Sequence, residues 1–138
     1  MEKESPERGT LIFVDSSYFI ARADKADRWH ERALKIAEGM LTNAMISDYV
    51  VLEAVTVIGR RGGGRAGTDL YEYLINNFQV VYVDEDILRQ GMEIYLKYDA
   101  ALSVADVASI EVMRKRGIKK IVSFDTDFDK VPGISRVH

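Results

Sequence analysis

The 138-residue chain contains no cysteine, which excludes disulfides and thiolate metal centres. Its two histidines are His30 and His138, so any metal site must be built mainly from oxygen. Oxygen donors suit magnesium, manganese or calcium rather than zinc or copper. No apolar run reaches the ~18 residues of a membrane span. The N-terminus lacks the basic, apolar and small-residue succession of a signal peptide. A cytoplasmic location without membrane association is the expectation. Positive charge is in deficit: the formal net charge is −3, which gives no electrostatic case for nucleic-acid binding. Two local basic clusters stand against that total. They are Arg60, Arg61 and Arg65 in "GRRGGGR", and Arg114, Lys115, Arg116, Lys119 and Lys120 in "RKRGIKK".

What is present is one domain's worth of core and a regular alternation of elements. Residues 1–9, "MEKESPERG", read as a polar N-terminal tail, and residues 10–138 as a single domain. "TLIFV", "AMIS", "QVVYV" and "KKIVSF" read as strands, with "GISRVH" as a short last one. Between them, "SSYFIARA", "RWHERALKIAEGM", "DYVVLEAVTVIGRR", "AGTDLYEYLINN", "DEDILRQGMEIYLKY" and "SVADVASIEVMRKRG" read as helices, from their caps, their glycine stops and the spacing of apolar residues. The "GGG" at 62–64 reads as a loop. Strands separated by helices predict an α/β fold: a parallel sheet of four to five strands covered by helices on both faces. Ligands of such sheets gather outside the carboxyl ends of the strands.

Four acids fall where that edge should be. Asp15 follows the first strand and Asp125 the fourth. Either could simply cap the next helix, and "SVAD" makes Asp106 a candidate partner of Ser103 in a capping box. Glu53 has less room for an ordinary reading. It interrupts the apolar run "VVLEAVTVI", and a buried unpaired carboxylate costs several kcal/mol. It therefore predicts an arginine, a lysine or a metal beside it. "DTDFD" crowds Asp125, Asp127 and Asp129 together. It is no EF-hand loop, because Lys130 stands where glycine is required and Arg136 where the twelfth-position acid is. A haloacid-dehalogenase nucleophile motif would usually follow the first strand and have further elements behind it; here 13 residues follow Asp125.

Taken in order, "FVDSSYFIA", the Glu53 helix after "ISDYV", "ALSVADVASIEVMRKRG" and "KKIVSFDTDFDKVPGISRV" resemble a PIN domain, most closely the VapC-like toxin group, from about Leu11 to Val137. The resemblance implies a divalent-metal-dependent endoribonuclease using Mg2+ or Mn2+. Its acidic quartet falls on Asp15, Glu53, Asp106 and Asp125, with Asp127 as a possible further ligand. It implies Asp15 and Asp106 as principal metal ligands, and Asp125 at a second ion or acting through water. It also implies Glu53 orienting or deprotonating the attacking water, and Ser17 and Ser123 holding the carboxylates by hydrogen bonds. Arg60, Arg61 and Arg65 are expected to grip RNA phosphates, and Asp129 to face solvent or pair with Lys130. An antitoxin partner and a homodimer are implied. The alternative is a non-catalytic PIN-fold module that binds RNA or protein.

Overall fold

The computed structural model describes residues 11–138; the expected polar tail lies outside the described residues. Five strands form one parallel sheet: β1 (Ile12–Val14), β2 (Ala44–Ser47), β3 (Gln79–Val81), β4 (Lys120–Val122) and β5 (Ser135–Val137). Their order across the sheet is β3-β2-β1-β4-β5. The chain moves outward from β1 to β3 and then returns to the other side of β1. Neighbouring β1 and β4, paired Phe13 to Ile121 and Val14 to Val122, therefore form the switch point, where parallel sheets open a crevice at their carboxyl edge. Both strands are short and almost wholly apolar, as strands covered on two faces must be.

The helices are α1 (Ser16–Ala23), α2 (His30–Lys35), α3 (Asp48–Gly62), α4 (Gly64–Asn77), α5 (Glu85–Lys97) and α6 (Val104–Arg116), with two 3-10 turns at Glu38–Leu41 and Thr126–Lys130. The α6 helix is buried without a break from Val107 to Met113. Its one carboxylate in that run, Glu111, is 1% exposed and takes both donors of the Arg114 fork at 2.9 and 2.7 Å. A buried carboxylate requires such a partner.

Three local expectations change. The long second helix ends at Lys35: Ile36 turns extended and buries itself in the core, so packing overrides helical periodicity. The third strand stops at Val81 because the Val83 amide leaves the ladder to donate to Asp48 Oδ1 at 2.8 Å. Ser47, rather than Asp48, then caps α3 through Val50 N. The triple-glycine loop is a single residue, Gly63, between two helices. Its φ of 98° lies in the region that favours glycine. Gly67 has a different reason: a Cβ there would come within 3.2 Å of the Gly59 Cα and 3.3 Å of the Val55 carbonyl. The glycine-rich stretch thus makes a tight α3–α4 hairpin.

Candidate active site

Asp15, Glu53, Asp106, Asp125 and Asp127 all line one cleft of about 310 Å³, together with Ser16, Ser17, Tyr49, Ser103 and Ser109. The sheet topology explains the meeting. Asp15 leaves β1 and Asp125 leaves β4, which are neighbours. The α3 helix leaves β2, on the other flank of β1, and brings in Glu53. The first turn of α6 brings in Asp106.

Asp15 occupies the N-cap position of α1, yet its side chain makes no cap bond. Its Oδ2 accepts instead from Ser17 Oγ at 2.9 Å and Ser123 Oγ at 2.8 Å. The Ser17 hydroxyl also accepts from the Phe124 amide, and Ser123 Oγ from the Asp125 amide, each at 3.0 Å. The two serines therefore tie β1 to the loop after β4 and fix the Asp15 carboxylate between them. Asp125 caps the following 3-10 turn through Asp127 N at 2.9 Å. Asp106 is the expected capping-box partner of Ser103, with bonds of 3.0 and 3.3 Å, and it also faces the cleft. Capping and cleft placement coexist for both residues.

The sequence analysis did not single out Ser16. Its hydroxyl donates to Glu53 Oε1 at 2.6 Å. That hydroxyl is the partner of the carboxylate in the apolar run; among the described residues neither arginine nor lysine pairs with it. Tyr49, one turn before Glu53 on α3, was missed as well. The i, i+4 spacing was its available signal.

Among the described residues, Asp15, Glu53, Asp106 and Asp125 make no salt bridge; Asp127 alone has one, with Lys130 at 2.9 Å. Asp129 turns out to solvent, one of the two expected arrangements, with its side chain 53% exposed; it pairs there with Arg136 at 2.9 and 3.0 Å, while Lys130 goes to Asp127. Burial pushes the Asp15 carboxyl above its usual range despite the two serine hydroxyls, and the Glu53 charge pushes the same way. Asp106 is raised too, first by burial and then by the charges of Asp125 and Asp15. Asp106, Asp125 and Asp127 each bring a carboxylate oxygen within 4.8 Å of the other two. This all-oxygen donor set, poor in countercharge, suits a hard divalent cation. Asp15 lines the same cleft and is committed through one oxygen to its serines.

The basic loop residues separate into different roles. Arg61 is held by Asp24 at 2.9 Å and Asp27 at 3.1 Å, tying the end of α3 to the segment after α1. Arg65 reaches Asp69 one turn on, at 3.8 Å. Arg60 is exposed.

Known proteins place this geometry. The PIN domain family matches residues 12–134. The 23S rRNA-specific endonuclease VapC20 of Mycobacterium tuberculosis is 32% identical over 120 residues, covering 86% of this chain and 92% of that protein. Ribonuclease VapC13 of the same organism is 28% identical over 134 residues, covering 92% and 99%. The crystal structure of VapC20, a sarcin-ricin loop cleaving toxin, matches with a TM-score of 0.78 at 30% identity, over 86% of this chain and 93% of that one. The DNA-bound VapBC structure from Salmonella typhimurium shares the fold, with a TM-score of 0.68 at 16% identity, over 93% and 97%. The chain belongs to the PIN domain family, in its VapC-like group of ribonucleases.

Proposed function

We propose that this protein is a divalent-metal-dependent endoribonuclease acting through the cleft at the carboxyl edge of its sheet. The observation that carries the reading is the convergence of Asp15, Glu53, Asp106, Asp125 and Asp127 in one cleft, where Lys130 is the one ion-pair partner among the described residues. Mg2+ or Mn2+ is the ion the donor set would take, held by Asp106, Asp125 and Asp127, with Asp15 beside them. Such an ion supplies Lewis acidity at the phosphodiester and makes water acidic enough to attack near neutral pH. Glu53, steadied by Ser16, receives the proton of the attacking water. Ser17 and Ser123 keep Asp15 aimed at the cleft. The water oxygen bonds to phosphorus as the phosphorus–oxygen bond to the leaving ribose breaks, and that ribose oxygen takes a proton from solvent water.

The relatives suggest where to look for substrate. VapC20 is named for 23S rRNA and for the sarcin-ricin loop, so an RNA hairpin of that kind is the first candidate. A cognate antitoxin is the proposed partner, in keeping with the toxin–antitoxin neighbours of the same fold. A homodimer is proposed as well: α5 exposes Leu88, Met92 and Leu96 at four-residue spacing, an apolar stripe that a second copy could cover. No helix among the described residues is long and apolar enough to cross a membrane.

The test is incubation of the purified protein with a ribosomal hairpin and with unrelated structured RNAs, with and without Mg2+ or Mn2+. Cleavage that needs the ion and disappears in Asp106→Asn supports the reading. RNA binding without cleavage under every ionic condition would instead favour the non-catalytic module.

A further inference from the structure

The α3 helix presents two unlike faces. Val50, Val51, Ala54 and Ile58 are buried. On the opposite side stand Tyr49, Glu53, Thr56 and Arg60, spaced four, three and four residues apart. At 3.6 residues per turn, these four fall within roughly 60° of one another and span about 16 Å of helix. Tyr49 and Glu53 line the cleft; Thr56 and Arg60 are exposed. The stripe therefore begins among the acids and runs out along open surface to a guanidinium.

The chemistry changes along that line in a useful order. Tyr49 is 38% exposed, enough to offer an aromatic face at the cleft. Burial, and then the charges of Glu53, Asp15 and Asp106, raise its phenol above the ordinary value, so the ring is uncharged near neutral pH. A neutral ring beside an acid cluster can stack a base without adding repulsion to the phosphate. Thr56 offers a hydroxyl. Of the three arginines around the α3–α4 turn, Arg61 is bound by two aspartates and Arg65 faces Asp69. Arg60 alone of these has no ion pair among the described residues, and it is the one on the Tyr49 face.

We propose that this face of α3 is the track for a single-stranded RNA segment flanking the scissile bond, with Tyr49 stacking an unpaired base and Arg60 contacting a backbone phosphate. The segment is single-stranded because a paired and stacked base has no free face for the tyrosine. The inference rests on the ribonuclease reading above. It names Tyr49 and Arg60 as binding rather than catalytic residues. Arg61, one residue along the chain, has a structural role.

The experiment measures anisotropy of a labelled single-stranded RNA, and of its duplex, in the cleavage-silenced Asp106→Asn background over a series of salt concentrations. Steady-state kinetics are measured in the active background. Tyr49→Leu should weaken single-strand binding about tenfold, and Tyr49→Phe should restore it. Arg60→Ala should lower the slope of log affinity against log salt by about 0.7 and raise KM while leaving kcat near the parent value. Arg61→Ala should leave that slope unchanged and lower the thermal midpoint instead. Duplex affinity should not respond to Tyr49. If the parent cleaves RNA but Arg60→Ala and Arg61→Ala share its salt slope, or Tyr49→Leu binds as the parent does, the track is overturned alone. If the parent neither cleaves nor binds RNA, the ribonuclease reading is overturned first and the track with it.

Discussion

Acids on two parts of this molecule live in opposite surroundings. Away from the cleft several of them have cations. Asp24 and Asp27 share Arg61, Asp86 takes Lys115 at 2.6 Å and Arg89 at 3.1 Å, Glu111 takes Arg114 and Asp129 takes Arg136. Asp86 and Asp129 are held below the usual carboxylate range by Lys115 and Arg136 respectively, and Asp24 by the Ala26 amide and then Arg61. Inside the cleft, apart from Lys130 beside Asp127, the partners are hydroxyls and backbone amides, and Asp15 and Asp106 are displaced upward. The chain gives each of the acids named outside the cleft a cation, yet where five acids share one cleft it supplies, among the described residues, only Lys130. That difference marks a place prepared for a cation and an anionic substrate, because the fold alone would be more stable with the cluster neutralised.

The contrast can be broken most severely at the acids themselves. Asp15→Asn and Asp106→Asn should each lower the RNA cleavage rate by at least about a hundredfold, while the metal-free protein melts no lower than the parent. The paired counterpart should behave inversely. Glu111→Gln weakens the buried fork with Arg114 and should lower the melting midpoint by several degrees, with cleavage retained. Parallel melting curves and initial rates check both. Equal destabilisation of the two classes would erase the distinction.

A divalent ion should sharpen the difference. Adding Mn2+ at about a hundred times its dissociation constant should stabilise the parent by about 2.7 kcal/mol, and Glu111→Gln by the same amount. Asp125→Asn should gain much less. Calorimetric melts with and without EDTA make the comparison.

Acid should separate the regions by sign. A carboxyl raised in the folded state binds its proton more tightly there than in the unfolded chain. Asp15 and Asp106 therefore destabilise the metal-free protein when ionised, and this cost is relieved as pH falls through their raised values. Asp24, Asp86 and Asp129 are lowered, so their contribution is present above the ordinary aspartate value and is lost as pH falls through their own. In Asp15→Asn/Asp106→Asn protein, the gain in stability over the parent should be present near neutral pH and vanish in moderate acid. Denaturant titrations across that range would show it, and a pH-independent gain would contradict it. The smallest effect belongs to Lys130, which offsets Asp127 from a half-exposed position. Lys130→Ala should strengthen Mn2+ binding a few-fold and change stability little.

Much of this was legible in the chain. Element order, the acids after β1 and β4 and the Asp106 capping box follow from local patterns and the rule for parallel sheet edges, while the Ser17–Asp15–Ser123 cradle was implied by the family resemblance alone. The features that escaped depend on distance in space. Ser16 meets Glu53 across 37 residues, Asp48 takes the Val83 amide across 35, and Arg61 finds Asp24 across 37. No helical or strand period encodes such pairs. The glycine run at 62–64 was misleading as well: Gly62 ends one helix and Gly64 begins the next, and Gly63 alone turns the chain.

The most direct test is a crystal of the protein grown or soaked with Mn2+ and measured at the manganese anomalous edge. The account predicts a peak ligated by carboxylates of Asp106, Asp125 and Asp127, with Asp15 alongside. A cleft without manganese, its acids drawn onto lysine or arginine side chains, would contradict it.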